Sequence, residues 1–292
     1  MAILVTGSTG TIGTLVVDYL AKKGAETYAL ARAPEKARFP DGVTPVKGDF
    51  MDVDAMRAAL AKATTLFLLN AVTPDEVTQA LITLNLAREA GIERFVYLSV
   101  FNSDKFTEVP HFTGKYTVER MIEQFELPAT ILHPNYFMQN DANLKDAILG
   151  HGVYPMPIGG VGVSMVDARD IAEAAALCLL RREQAASPLP REAIEIVGPD
   201  VLTGEAAASI WTKVLNKPVR YGGDDLNAFE QRFRAFAPAW MAYDFRLMFG
   251  RFQREGMLAE RDDIDRLAAL LGHPLRSYYD FAVETAKQWQ SG

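Results

Sequence analysis

The opening stretch, MAILVTGSTGTIGTLVVDYLAKKG, limits this chain's fold more than any other. AILVT (2–6) is a short β-rich apolar run, as expected of a parallel strand buried on both faces. Three glycines spaced three apart follow, Gly7, Gly10 and Gly13. Helical periodicity then sets in, with Ile12, Leu15, Val16, Tyr19 and Leu20 on one face and Gly24 as a left-handed stop. A glycine loop between strand and helix has a definite physical use. Gly7 permits a tight turn, Gly10 lets the backbone approach a pyrophosphate, and Gly13 lets the helix pack close to the sheet. The helix start, with Thr9, Thr11 and Ile12, presents free N–H groups and partial positive charge to phosphate. The expectation is a bound dinucleotide.

The alternation continues through the first half of the chain. TYALAR (27–32), VTPVKGD (43–49), TTLFLLNAV (64–72), RFVYLSV (94–100) and PATILH (128–133) read as strands or strand ends. Helical patterns separate the later ones: one capped by Asp52 or Asp54, one over 75–90 closed by Gly91, and one over 111–126. Strand and helix in turn predict an α/β fold with a doubly wound parallel sheet of the Rossmann kind. After Gly150 the rhythm changes. HGVYPMPIGGVG (151–162) reads as loop, VSMVDARDIAEAAALCLL as a short strand and a helix, and AIEIV (193–197) as a further strand. From Thr203 the pattern is mainly helical and carries aromatic residues such as Trp211, Phe229, Phe236, Trp240 and Phe252. The domain reading is 1–150 for dinucleotide binding, with returning segments about 163–181 and 193–197, and 151–292 as a smaller, mainly helical substrate part leaning over the sheet's carboxyl edge.

Composition narrows the function classes. Apolar residues make up 49% of 292, enough for a substantial core. Thirty basic against 37 acidic residues give a net charge of −7, and no basic block points to nucleic acid. Cys178 is the only cysteine; it cannot form an internal disulfide and reads as a small core residue. No leader pattern and no long apolar run precede or interrupt the alternation, so the expected location is cytoplasmic, away from the membrane. The four histidines show no metal-ligand spacing, and there is no Gly-x-Ser-x-Gly elbow.

The end of the second strand chooses between nicotinamide cofactors. An acidic residue there would bind the ribose 2′-hydroxyl, but the sequence is Ala-Leu-Ala-Arg32, with Lys36 nearby. Arg32 suits a 2′-phosphate, so NADP(H) is expected rather than NAD(H). Asp49 and Phe50 follow the third strand on the adenine side, and Asn70, Ala71 and Val72 follow the fourth.

The segments TGSTGTIG, LARAPEKA, KGDFMD, AREAGIERFVYLS, HFTGKYTVERMIE and ILHPNYFMQN together resemble the NmrA-like branch of the atypical short-chain dehydrogenases/reductases. The resemblance implies a Rossmann domain, a small C-terminal substrate domain and NADP. It does not imply one activity: the branch includes NADPH-dependent quinone and azo-dye reductases and also nucleotide sensors that bind regulatory partners without turnover. Related isoflavone reductase-like enzymes place a catalytic lysine in a K-x-x-x-R/E-x-x-I-E helix, where KYTVERMIE puts Lys115.

Ser99 ends the fifth strand, where ligands bind in such sheets. Commoner short-chain enzymes pair such a serine with Tyr-x-x-x-Lys; here that spacing reads His111-Phe-Thr-Gly-Lys115. Positions i and i+4 share a helix face. Lys115 is expected to orient the nicotinamide ribose and stabilise negative charge, or else to pair with Glu119 on the surface. His111 is expected to supply a proton or merely to shape the pocket. Pro134, Asn135, Tyr136 and Phe137 would cover the nicotinamide, and Phe101, Met138 and Met156 would line an apolar substrate pocket. The expected substrate is a small apolar or aromatic electrophile such as a quinone. The alternative is an NAD(P)-sensing regulator that binds a protein partner.

Overall fold

The computed structural model describes residues 2–291. Nine strands and ten α-helices are described, and their chain segments divide between two compact units. Unit 1 comprises residues 1–103, 114–133 and 168–195; unit 2 comprises residues 104–113, 134–167 and 196–292.

Unit 1 is built on a parallel sheet. β1 (Ile3–Val5) lies between β2 (Thr27–Ala31) and β4 (Thr65–Leu68). The sheet extends on one side to β3 (Val43–Lys47) and on the other through β5 (Phe95–Leu98) and β6 (Ala129–Pro134) to β8 (Glu192–Ile196). The register is parallel from β3 to β6; Leu4, for example, lies beside Tyr28 and Leu66. Strand order 3-2-1-4-5-6 reverses direction at β1, and crevices at such a reversal bind ligands beyond the strands' carboxyl ends.

Helices α1 (Thr11–Lys22), α2 (Val53–Leu60), α3 (Glu76–Glu89), α4 (Pro110–Gln124) and α5 (Ala168–Gln184) cover the strands. Asp52 caps α2 by accepting the Ala55 N–H, and Gly24 and Gly91 take positive φ just past α1 and α3, as the residue types require. One core joins Leu4, Leu66, Leu84, Phe95, Ile122 and Ile131 between the sheet and the helices α2, α3 and α4. α5 packs against α1. It is buried along most of its length, and burial pushes the Cys178 thiol up to about 11, so it stays protonated as a core residue.

Unit 2 contains α6 (Gly204–Leu215), α7 (Leu226–Phe233), α8 (Ala239–Glu255), α9 (Arg261–Leu271) and α10 (Tyr278–Ser291). A two-stranded parallel sheet joins β7 (Val153–Tyr154) to β9 (Arg220–Tyr221). The stretch read as loop over 151–162 therefore holds a strand, too short to show any periodicity. Conversely, the short strand expected before α5 is absent. Val163 bridges singly to Leu202 and to Met257, and Val166 to Phe137, so no ladder propagates. The core of this unit is partly polar. Asp141 accepts from Tyr154 (3.0 Å) and Tyr278 (2.5 Å), while Trp211 donates to the Tyr278 hydroxyl (3.0 Å) and stacks on Trp289.

Candidate functional site

The glycine loop in unit 1 has the geometry its spacing implies. Thr6 locks the end of β1 to β4, donating to the Phe67 carbonyl and accepting from the Leu69 N–H. Ser8 donates to the Leu30 carbonyl at the end of β2. Gly7 has φ +59°, and a Cβ there would lie 2.8 Å from the Leu69 carbonyl oxygen. A Cβ on Gly13 would come within 2.1 Å of the Gly7 carbonyl oxygen. Gly10 is different: its Cβ would meet only the Gly7 carbonyl oxygen, at 3.4 Å. Protein packing therefore does not demand glycine at 10, and the open space above it is a cradle. No side chain caps α1, whose first-turn N–H groups have no intrahelical acceptor. Thr9, Gly10 and Thr11 are exposed, whereas Ile12 and Gly13 are buried in the packing beneath.

A cleft of about 460 Å³ opens beside this loop, lined by Ser8, Thr9, Thr14, Arg32, Lys36 and Arg38 among others. It carries three cations and no carboxylate, the donor set for a phosphate. Sequence reasoning selected Arg32 and Lys36 but missed Arg38, which the turn after Pro34 brings back. Asn70, at the end of β4, is buried, and its Oδ1 has no hydrogen-bond partner while its Nδ2 reaches Gln79 at 3.4 Å. A buried acceptor without a partner calls for a donor, which a ligand bound beyond the strand ends would supply. Ala71 is exposed and Val72 half-buried in the loop that follows. Asp49 accepts the Met51 N–H in a local turn, and Phe50 packs against the core. The residues present thus fit a dinucleotide with a 2′-phosphate.

At the ends of β5 and β6 the structure builds a buried polar cluster. Glu119 on α4 accepts from Ser99, from Ser103 (3.0 Å) and from Nε2 of His133 (3.1 Å), and His133 Nδ1 reaches Glu195 on β8 (3.0 Å). Burial disfavours the charged His133 ring, but the hydrogen bonds to Glu119 and Glu195 outweigh it and raise the ring to about 10. Burial likewise acts to raise the Glu119 carboxyl, and the His133 and serine hydrogen bonds reverse it, holding the group below its usual range. Ser99 is buried, and the one hydrogen its hydroxyl can donate goes to Glu119.

Lys115 does not pair with Glu119. Its ammonium donates to Glu76, the first residue of α3, at 2.6 Å, and both groups are buried. One of its three N–H donors is spent and two remain. Beneath the pair, burial keeps the Tyr97 hydroxyl protonated, reinforced by the Glu76 and Glu119 charges. Tyr116, next to Lys115, lies on another face of α4 under the Arg120 guanidinium.

His111 belongs to the first turn of the same helix and is packed within unit 2. Its backbone N–H and its ring Nδ1 both bond the carboxylate of Asp244 on α8. The 134–137 segment also lies in unit 2 after its β6 residue. Asn135 is buried, with its Nδ2 donating to the Met257 carbonyl and its Oδ1 accepting the Tyr136 N–H. Tyr136 packs edge-on against Phe249 and Phe252. Pro134 is buried and Phe137 half-buried. Of the residues expected to line a substrate pocket, Phe101 in unit 1 and Met138 in unit 2 are buried, and Met156 in unit 2 is half-buried.

The model of the NmrA-like family matches residues 1–281. The chain belongs to the NmrA-like family. This NmrA-like chain is 27% identical to the NAD(P)H azoreductase of Xenophilus azovorans over 285 residues, 96% of each protein. Its fold is similar to the NADPH-dependent quinone oxidoreductase of Escherichia coli, solved with NADPH, at a TM-score of 0.85 and 23% identity over 97% of this chain and 99% of that one. It is also similar to the Citrobacter triphenylmethane reductase, solved with NADP(H), at a TM-score of 0.83 and 22% identity over 97% and 99%.

Three residues of the NmrA-like chain that meet these side chains or line this cleft escaped sequence reasoning: Arg38 in the unit 1 cleft, Glu76 as the partner of Lys115, and Asp244 as the partner of His111 within unit 2. Arg38 had a local signal, the cations of RAPEKAR, whereas Glu76 and Asp244 had none, since each meets its partner across the fold. Among the described residues, no helix is long and apolar enough to cross a membrane.

Proposed function

We propose that this chain is an NADPH-dependent reductase of small, flat, conjugated electrophiles, with quinones and azo compounds as the leading substrate class. The observation that carries the reading is the tricationic cleft beside an uncapped glycine-loop helix, with an orphaned Asn70 Oδ1 at the next strand end. Arg32, Lys36 and Arg38 would hold the 2′-phosphate, and the N–H groups of the α1 start the pyrophosphate. When bound, the nicotinamide supplies a hydride.

The chain's own groups have separate tasks. Glu76 holds the Lys115 ammonium in place, and its two remaining donors serve the ribose and the oxygen on which charge develops. His111, one turn earlier on α4, supplies the proton. The named activities of the azoreductase, the quinone oxidoreductase and the triphenylmethane reductase support a conjugated acceptor.

The test is an acceptor panel of quinones, azo dyes and triphenylmethane dyes, followed by NADPH absorbance with NADH alongside. Steady consumption with at least one class, and preference for NADPH, is the expected result. Tight NADPH binding without turnover on any acceptor would replace this reading with that of a cofactor-sensing regulator.

A further inference from the structure

We propose that Asp244 is a positioning residue for His111, holding the ring in the tautomer that carries hydrogen on Nδ1 and leaves Nε2 for proton exchange with the acceptor. Asp244 is buried at 1% exposure on α8. One carboxylate oxygen accepts the His111 backbone N–H at 3.0 Å and the other accepts from the ring Nδ1. An ionised carboxylate only accepts, so Nδ1 bears the hydrogen. Main chain and ring of one residue are thereby held by one group, which leaves the imidazole little freedom to turn.

Three further observations separate this arrangement from simple helix capping. Nε2 has no hydrogen-bond partner among the described residues, and the side chain keeps 10% exposure. Phe112 and Phe245 flank the ring, with centroids at 4.7 and 5.7 Å. The ring also sits in the first turn of a helix, the end that opposes a cation. Asp244 places a carboxylate beside the ring there.

The final step rests on the reductase reading given above; the tautomer does not. In that step, hydride from the reduced nicotinamide adds two electrons and one hydrogen to a quinone, leaving the oxidised cofactor. The Nε2–H bond of the imidazolium breaks and its proton passes to the quinone oxygen. The ring is left neutral with its hydrogen on Nδ1, and solvent returns the proton.

The test uses the full-length protein labelled with ¹⁵N in histidine, with His111 assigned by its loss in His111→Phe. With the ring neutral, the wild type should show the Nδ1–H form. Asp244→Asn should convert it to the Nε2–H form, because the amide now donates to Nδ1. With NADPH and a benzoquinone, Asp244→Asn should lower kcat on the order of 10²-fold while KM and the NADPH Kd stay within about twofold. The double variant should turn over no more slowly than His111→Phe alone. An Nε2–H ring in the wild type, an unchanged tautomer in Asp244→Asn, or additive losses in the double variant would overturn the proposal. Should Asp244→Asn not fold, the wild-type spectrum still decides the tautomer. Should no quinone be reduced, the reductase reading fails while the spectra still decide the role of Asp244.

Discussion

A Cβ on Gly13 would lie 2.1 Å from the Gly7 carbonyl oxygen, whereas one on Gly10 would meet its nearest atom at 3.4 Å. The two glycines therefore differ: protein packing requires glycine at 13 and leaves open space at 10. Gly13→Ala should destabilise the protein by about 1–3 kcal/mol through overpacking, seen in denaturant melts. Gly10→Ala should leave stability nearly unchanged and raise the NADPH Kd at least about tenfold, seen by calorimetry; undiminished affinity would mean that no phosphate lies over residue 10. Arg32 belongs to the same scale. A charged hydrogen bond contributes ~1.5–3 kcal/mol, so Arg32→Ala should weaken NADPH roughly tenfold or more and leave NADH nearly unchanged. Equal losses for both would show that Arg32 does not read the 2′-phosphate. Lys36 and Arg38 line the same cleft and will share part of the task.

Two buried polar clusters tie elements together, and each has its own pH signature. His133 links β6 to α4 and β8 through Glu119 and Glu195. Its folded value, about 10, lies above the ordinary 6.5. The stability it confers is therefore fully present below about 6.5 and is lost as pH rises through about 10. His133→Gln should melt well below wild type at pH 6, with the gap narrowing by pH 10; a constant gap would exclude a charged ring. Asp141 links the 138–144 turn to β7 and α10 through Tyr154 and Tyr278. Burial, only partly offset by the tyrosine hydrogen bonds, raises its carboxyl from 3.8 to about 7. Its Oδ1 has no partner, so ionisation would leave buried charge uncompensated. The folded protein retains this proton where the unfolded chain has lost it, so stability falls as pH rises from about 4 to about 7. Asp141→Asn should remove that slope and gain on wild type above pH 7, measured as melting temperature against pH.

At the scale of the molecule, neither unit is a single run of chain. The first draws α5 and β8 from beyond residue 167, and the second takes residues 104–113 from between β5 and the body of α4. A simple cut at residue 150 therefore severs both, since unit 1 takes 168–195 and unit 2 takes 104–113. Within unit 1, α5 packs on α1, Glu183 accepts from Thr64, and the wholly buried Arg182 donates to Thr130 and to the Pro128, Leu189 and Pro190 carbonyls. A fragment ending at residue 150 loses all of these, exposes the apolar face of α1 and leaves β6 without its β8 neighbour. It should not show a cooperative thermal transition; a sharp, reversible melt of that fragment would prove the returning segments dispensable.

Strand order in the chain, the helix boundaries to within a few residues, the glycine grip and the cation at the end of β2 were all legible in the sequence. Each rests on local causes: a period of two or 3.6, a cap, or a residue that a turn requires. The partners of the reactive groups were not. Lys115 has a carboxylate four residues along its own helix, yet it meets Glu76, 39 residues away, and His111 meets Asp244 across 133 residues. Spacing along a helix shows which side chains share a face, but not which other element that face is pressed against. Where a charge is buried, the partner that offsets its lost hydration is decided by that packing, and so only the tertiary structure settled what Lys115, Ser99 and His111 hold.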